Sequence, residues 1–231
     1  MPKPKSVSDH YLSESGRKYY SRYTSGYGLG RMVQTEYFLP YTDKDKVVLD
    51  FGCSDGLFLR HLPAKLRIGV EVNPTAREKC KMLSEKENIP IELHETLQTI
   101  QGNQADVVIS NHALEHVLSP YETLLEIHRV LKPKGHCVIV VPFDDWRSKG
   151  HCKWGKDDHD NYLYTWSPLN LGNLVSEAGF TVLKTKLNTK AWSPRIFWVY
   201  RLFGKKPFDM ACYFLSSVKN RREILCVAVK P

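Results

Sequence analysis

Residues 47–59 read Val-Val-Leu-Asp-Phe-Gly-Cys-Ser-Asp-Gly-Leu-Phe-Leu, and this stretch decides the fold that we predict for the chain. The apolar run Val47–Leu49 is typical of a strand buried on both faces. Gly52 and Gly56 follow in a loop, and the apolar residues after them favour a helix. Such a junction brings backbone N–H groups and a helix N-terminus close to a ligand. A Cβ at either glycine would occupy the space of that ligand, and Asp50 could orient the loop or meet a cationic ligand group.

The spacing of these residues, Asp-x-Gly-Cys-x-x-Gly, differs from the three-glycine fingerprint of dinucleotide-binding folds. It resembles motif I of the Rossmann-like S-adenosylmethionine-dependent methyltransferases. The resemblance implies an α/β fold, in which helices sandwich a seven-stranded, mostly parallel sheet whose last strand is antiparallel. It also implies S-adenosylmethionine as the cofactor, bound by Asp50, Gly52, Cys53 and Gly56. The alternative is an ordinary strand–loop–helix junction that happens to contain glycines.

Glu71 stands at the end of the next predicted strand, which begins at Arg67. An acid about 20 residues after a glycine loop is where nucleoside-binding folds place the partner of the ribose. One carboxylate can accept hydrogen bonds from both ribose hydroxyls, so we predict that Glu71 binds the ribose of the cofactor. The resemblance places adenine contacts just after the third strand, at His94, Glu95 and Thr96.

A fourth predicted strand, Asp106–Asn111, is followed by His-Ala-Leu-Glu-His. Ligands of open α/β sheets bind at the carboxyl ends of the strands, so we predict that Asn111 contacts the cofactor and that the histidines face the acceptor. Methyl transfer to a hydroxyl requires a base for its proton, and histidine titrates near neutral pH. The candidate bases follow strands four and five: His112, His116, His151, His159, Asp144 and Asp145. Among these we favour His116, His112 and His159.

His112, Glu115 and His116 stand at positions i, i+3 and i+4, so one helical turn would place them on a common face. Two imidazoles and a carboxylate can ligate a divalent metal. The pattern resembles the Glu-x-x-Glu-His metal site of ubiquinone-pathway and small-RNA 2′-O-methyltransferases, with His112 in place of the first Glu. His159 lies where a later histidine completes the site in the small-RNA enzymes. Since the first ligand departs from that pattern, we predict no metal and keep these four residues as the alternative.

We predict an N-terminal arm with a lid helix over residues 1–45 and a methyltransferase domain over residues 46–231. A helix at Gly28–Pro40 should lead into the first strand. The resemblance covers about residues 45–183 and is closest to small-molecule and sugar methyltransferases. An aromatic and basic addition at about 191–220 could pack over the acceptor site or touch a bilayer surface, although a covering helix is the commoner role.

The composition is that of an ordinary globular domain, with 231 residues of which 42% are hydrophobic and 25% are charged. No apolar run approaches the roughly 20 residues of a membrane-spanning helix, and the N-terminal residues Met-Pro-Lys-Pro-Lys contain no apolar signal segment. The six cysteines form no Cys-x-x-Cys pair, which argues against zinc ribbons and disulfide frameworks. We therefore expect a cytoplasmic protein with reduced thiols.

The net charge of +8 is concentrated at the two ends of the chain. Residues 1–31 carry a net charge of +4 and residues 184–231 carry +9, so the residues between them carry −5. The positive ends could attract a phosphorylated substrate, a nucleic acid or an anionic membrane, or they could merely keep the surface soluble.

Three functions are compatible with these patterns. The first is O-methylation of a small or saccharide-like acceptor in a biosynthetic pathway. The second is methylation of RNA or another nucleic acid. Against it, residues 110–113 read Ser-Asn-His-Ala rather than the Asn/Asp-Pro-Pro-aromatic pattern of exocyclic-amine methylases, and no separate RNA-binding module is visible. The third is a scaffold that binds the cofactor without catalysis. The identity of the acceptor and the oligomeric state stay open.

Overall fold

The structure, a computed structural model, describes residues 9–12, 14–22, 31–143, 161–188, 193–219 and 221–231. Within these ranges seven strands form one sheet: β1 (Val47–Phe51), β2 (Leu66–Val70), β3 (Glu92–His94), β4 (Ala105–Asn111), β5 (Leu131–Pro142), β6 (Thr181–Asn188) and β7 (Glu223–Val229). Their order is β3-β2-β1-β4-β5-β7-β6. The pairs among β1 to β5 are parallel, and β7 runs antiparallel to both β5 and β6. The predicted fold class is confirmed, with the antiparallel last strand inserted between β5 and β6.

The same ranges contain the helices α1 (Asp9–Leu12), α2 (Glu14–Arg22), α3 (Leu57–His61), α4 (Pro74–Glu87), α5 (Pro120–Val130), α6 (Pro168–Glu177), α7 (Phe197–Phe203) and α8 (Lys205–Lys219). Short 3₁₀ helices lie at Met32–Tyr37, Leu39–Tyr41, Leu97–Thr99, Leu114–His116 and Pro194–Ile196. The described helices include none with the length and apolar character needed to cross a membrane.

The sheet is buried on both faces because its central strands alternate between two apolar clusters. Leu49, Val108 and Ile139 belong to one cluster, in which they pack with residues of α5 and α6. Val48 and Ile109 point to the other cluster, in which Phe38 and Phe58 meet edge to face with ring centroids 5.2 Å apart. The near-continuous apolar runs of β1, β4 and β5 follow from this double burial.

The segment before β1 differs from the predicted helix over Gly28–Pro40. Its described part winds as two 3₁₀ helices, and the N–H of Phe38 donates to the carbonyl of Thr35, three residues earlier. β-Branched and aromatic residues have weak α-helix propensity, and Pro40 has no N–H to continue an α-helix. The tighter winding places Phe38 fully in the core.

The topology collects the functional loops at one edge of the sheet. β1 lies between β2 and β4, and Phe51 aligns with Val70 on one side and with Ser110 on the other. The loops after these three parallel strands therefore emerge at the same carboxyl edge, where open α/β sheets bind their ligands.

Candidate functional site

A cleft of about 560 Å³, partly open to solvent, lies at this carboxyl edge. The lining residues come from the three strand ends and from the N-terminal arm: Phe51, Gly52, Val70, Glu71, Val72, His112, Ala113, His116, Val117, Tyr11 and Tyr20. The cleft therefore has a carboxylate on the side of β2 and two imidazoles on the side of β4.

Gly52 is required where β1 turns into the cleft. Its φ is +79°, and a Cβ there would lie 2.5 Å from the Cβ of Ala113. Gly56 also has a positive φ, but a Cβ there would meet the Sγ of Cys80 at 2.5 Å and the side chain of Ile91 at 3.1 Å. Gly56 does not line the cleft. The space that its Cβ would take is filled by core side chains, whereas the sequence suggested a ligand there.

We expect Gly52→Ala to lower the free energy of unfolding by at least about 2 kcal/mol, because the alanine would combine a positive φ with a clash. Ala113 cannot yield easily, since its Cβ is fixed to the backbone after β4. Gly102→Ala is the matched control, because its added Cβ would be no closer than 3.4 Å to another atom. Urea denaturation gives the free energy of unfolding of both variants. A value for Gly52→Ala within 0.5 kcal/mol of that of the original protein would contradict the expected strain.

Glu71 presents a fixed carboxylate to the cleft. The backbone N–H groups of Ser54 and Asn73 each donate to it at 2.9 Å. The hydroxyl of Tyr20 lies 3.4 and 3.5 Å from its two oxygens. Burial raises the pKa of Glu71, although these donors oppose the shift. The carboxylate thus already accepts a hydroxyl group, which is the chemistry that a ribose offers.

Asp50 is a buried carboxylate in β1 that does not itself line the cleft. Neither of its oxygens has a hydrogen-bond partner among the described residues. Burial raises its pKa to about 7, while the positive charge of Arg31 opposes the shift. A buried carboxyl group without a partner is costly, and a cationic group of a ligand would satisfy it.

The side chains of Cys53 and Asn111 point away from the cleft. The thiol of Cys53 is fully buried in the second apolar cluster. The amide of Asn111 donates to the Oε1 of Gln34 at 3.3 Å. Neither side chain lines the cleft, so any contact of these two residues with a cofactor would have to come from the backbone.

The predicted adenine contacts also lie outside the cleft lining. The ring nitrogens of His94 lie 2.7 Å from Thr99 and from Glu92, and Glu95 pairs with Arg77 at 3.3 Å. Thr96 precedes the 3₁₀ helix at Leu97–Thr99. Val70 and Val72, which flank Glu71 in the lining, are the residues that sequence reasoning missed on this side.

His112 is held between two buried carboxylates. Its Nδ1 lies 3.3 Å from Glu115 and its Nε2 lies 3.1 Å from Glu223. Burial opposes a charge on the ring, but the two carboxylates outweigh it and raise the pKa of His112 to about 9. Gln34 donates to Glu223 at 2.9 Å. An imidazolium whose two nitrogens face carboxylates has no lone pair for a substrate proton, so this geometry does not fit the predicted role of His112 as a base.

The predicted helical turn for the His112–His116 segment is also wrong. His112 has a φ of +53°, and only Leu114–His116 forms a 3₁₀ turn. The side chains still meet, since Nε2 of His116 lies 3.8 Å from Glu115. Among the residues that the structure describes, no group of three His, Cys, Asp or Glu side chains could hold a metal ion. His159, the fourth residue of the metal alternative, lies outside the described residues, as do His151, Asp144 and Asp145.

His116 has the opposite electrostatic setting. Its Nδ1 lies 2.8 Å from the hydroxyl of Tyr11 and 3.4 Å from the carbonyl of Asn161. The ring packs edge-on against Tyr11, with centroids 5.1 Å apart, and is tilted against Tyr162 at 5.0 Å. Burial lowers the pKa of His116, although the charge of Glu115 opposes the shift. A neutral imidazole at the cleft wall can accept a proton near neutral pH.

The arm reaches the site through contacts that the sequence did not specify. The amide of Asn73 donates to the carbonyl of Tyr11 at 2.7 Å, which fixes α1 near the end of β2. Tyr11 then contacts His116, and Tyr20 of α2 contacts Glu71. The sequence predicted a lid over residues 1–45, but the pairing of Tyr11 and Tyr20 with these two residues depends on tertiary contacts.

We expect the His112–Glu223 pair to make stability fall at alkaline pH. The folded-state pKa of about 9 lies above the usual value of 6.5, so the stabilisation is fully present below pH 6.5 and is lost as the pH rises through 9. A shift of this size corresponds to a loss on the order of 3 kcal/mol. Glu223→Gln should shrink the loss, because one carboxylate then holds the imidazolium. Urea denaturation at pH 6.5 and 9 measures the loss in the original protein and in the variant, with Glu177→Gln as the control, because Glu177 is exposed. If the free energy of unfolding fell as much between pH 6.5 and 9 in Glu223→Gln as in the control variant, the pairing would be contradicted.

Comparison with known proteins finds that the model of a family described as "Methyltransferase domain" matches residues 31–185. The ubiquinone biosynthesis O-methyltransferase of Roseobacter denitrificans is 31% identical over 197 residues, which span 74% of this chain and 73% of that protein. An uncharacterized methyltransferase of Schizosaccharomyces pombe is 28% identical over 158 residues, or 62% of this chain and 55% of that protein.

Among solved structures, the chain is similar to geranyl diphosphate C-methyltransferase from Streptomyces coelicolor A3(2), crystallised with Mg²⁺, geranyl diphosphate and S-adenosyl-L-homocysteine. The TM-score is 0.63 at 14% identity, and the match covers 87% of this chain and 77% of the other. Identity this low shows a shared fold and nothing finer.

Proposed function

Because this chain belongs to the methyltransferase-domain family of S-adenosylmethionine-dependent methyltransferases, we propose that it methylates a hydroxyl group of a small or saccharide-like acceptor, with His116 as the base. The contrast between the two histidines of the cleft carries this proposal. His112 is locked and charged by Glu115 and Glu223, whereas burial keeps His116 neutral at the cleft wall. One imidazole is therefore available for a proton and the other is not.

We propose that the cofactor is held by the three strand ends that form the cleft. Glu71 would accept the ribose hydroxyls in place of the Tyr20 hydroxyl, and Val72 would flank the base. Gly52 would let the ligand approach the backbone. The buried carboxyl of Asp50, which does not line the cleft and has no hydrogen-bond partner among the described residues, would favour the cationic amino group through its charge. When bound, S-adenosylmethionine supplies a methyl group on a positively charged sulfur, which activates the methyl carbon toward attack by a nucleophile.

The tautomer of His116 follows from its neighbours. The carbonyl of Asn161 can only accept a hydrogen bond and the nearer hydroxyl of Tyr11 can also accept one, so we assign the ring proton to Nδ1. The lone pair of Nε2 is then available for the proton of the acceptor hydroxyl. Glu115 lies 3.8 Å from Nε2 and would stabilise the imidazolium that results. Val117 and the rings of Tyr11 and Tyr162 would exclude water beside it.

The experiment that tests this function is a labelled-methyl assay over phenolic, saccharide, lipid-linked and RNA acceptors, with and without a chelator. Methyl transfer to a low-molecular-weight hydroxyl, unchanged by the chelator, supports the proposal. Transfer to RNA alone would replace it with the nucleic-acid alternative. Cofactor binding without transfer to any acceptor would support the non-catalytic scaffold, and loss of activity with the chelator would reinstate the metal site.

A further inference from the structure

The helical hairpin of α7 and α8 exposes an unusual amount of apolar surface. Seven large apolar side chains in it are more than half exposed, from 56% at Trp198 to 74% at Met210. The rest of the described chain has three such side chains, Met82, Leu169 and Leu183, which lie on separate elements. So many exposed apolar side chains on one pair of helices are unusual for a monomeric soluble protein without an interaction partner.

Helix α8 has a buried stripe and an exposed apolar stripe on opposite faces. Phe208, Cys212 and Ser216 recur every four residues and are buried. Met210, Phe214 and Val218 recur at the same spacing, two positions later, and are 74%, 71% and 66% exposed. A shift of two residues rotates a helix position by about 200°, so the second stripe faces away from the core.

The inner stripe anchors the hairpin to the first 3₁₀ helix, Met32–Tyr37. Phe208 and Cys212 lie beside Gln34 and Tyr37 of the first 3₁₀ helix, and Lys205 pairs with Glu36 at 2.7 Å. The fold therefore buries the inner stripe, whereas the outer stripe is exposed and available to a partner.

The exposed charged side chains of residues 193–219 all have the same sign. Arg195, Arg201, Lys206 and Lys219 are exposed, and Lys206 precedes Met210 by one helical turn, so it shares the apolar face. Asp209 is the one acidic residue between positions 193 and 219, and Lys205 pairs with it at 2.5 Å. The hairpin thus combines exposed apolar side chains with net positive charge.

We propose that this face, formed by Trp198, Leu202, Phe203, Met210, Phe214 and Val218, docks on an anionic lipid bilayer. Apolar side chains would enter the boundary between headgroups and acyl chains, and the lysines and arginines would keep their charges at the phosphates. Trp198 and Tyr213 suit that depth, because each combines an apolar ring with a polar atom. A second copy of the chain fits less well, since it would bring the same positive charges against these.

Vesicle flotation of the purified full chain tests this docking. The probes are phosphatidylcholine vesicles with and without about 30% phosphatidylserine, at low and high salt. We expect at least about tenfold stronger partitioning into the anionic vesicles, weakened by salt. The double variant Met210→Asp/Phe214→Asp should lose at least about tenfold of that partitioning. Leu169→Asp is the matched control, because Leu169 is 73% exposed on another helix, and it should bind like the original protein.

A second measurement keeps the test independent of folding in the double variant. Trp198→Phe should retain vesicle binding but lose most of the tryptophan emission shift that vesicles induce. The proposal is overturned if the chain ignores both vesicle types, if neutral and anionic vesicles bind it equally, or if the double variant binds as well as the original. A concentration-dependent dimer that the double variant abolishes would instead assign the face to a second copy. None of these readouts depends on methyl transfer.

Discussion

Replacement of Glu71 by Gln is expected to weaken the binding of S-adenosylmethionine about 100-fold. The carboxylate is buried and held by two backbone N–H donors, and in our proposal it accepts both ribose hydroxyls. A hydrogen bond to a charged group contributes about 1.5–3 kcal/mol, and the amide would present an N–H₂ donor to a hydroxyl that also donates. A loss of about 3 kcal/mol corresponds to roughly 100-fold in the dissociation constant.

Isothermal calorimetry with the purified protein measures this effect. Glu95→Gln is the matched control, since Glu95 follows the neighbouring strand β3 and its side chain is 63% exposed. The control should bind the cofactor as the original protein does. A Glu71→Gln variant that folds normally and binds within threefold of the original would show that the ribose lies elsewhere.

Replacement of His116 by Gln is expected to reduce kcat about 10²- to 10⁴-fold, which is the usual contribution of a positioned general base. Cofactor affinity should change less than threefold, because the imidazole is assigned to the acceptor side. The activity of the original protein should fall as the pH drops through the lowered pKa of His116, below its ordinary value of 6.5. The variant should lose that dependence on pH.

Steady-state kinetics with the acceptor from the labelled-methyl screen provide the measurement. His128→Gln is the control, because His128 packs against Phe180 at a ring distance of 5.0 Å and does not line the cleft. If His116→Gln kept its turnover and its pH profile, the base would have to be sought elsewhere, and His116 would be a packing residue.

The sequence predicted the parts of the fold that local patterns determine. The apolar runs of β1, β4 and β5 are continuous because both faces of the sheet are buried. Ser167 before Pro168 is a local pattern typical of a helix N-cap, and it caps α6 in a full capping box with Asn170. At α5, Ser119 precedes Pro120 in the same pattern, and its side chain accepts from the N–H of Glu122 without the reciprocal bond of a full capping box in the described helix. Local patterns thus predicted where these helices begin, although not every capping bond.

The sequence could not predict the contacts that join distant segments. The pairing of His112 with Glu223 spans 111 positions, and no local period reports it. The local indication was Glu223 itself, a charged residue at the start of the otherwise apolar strand β7. The left-handed backbone of His112 likewise broke the helical spacing on which the metal alternative depended. Gly56 was assigned to the ligand because its real neighbour, Cys80, lies on another helix.

A crystal structure with bound S-adenosylhomocysteine tests the central claim most directly. We predict that both ribose hydroxyls lie within about 3 Å of the Glu71 oxygens, that the Tyr20 hydroxyl has left them, and that the sulfur faces His116 across the cleft. A nucleoside bound outside this cleft, or a ribose with no contact to Glu71, would contradict the assignment of the cofactor site.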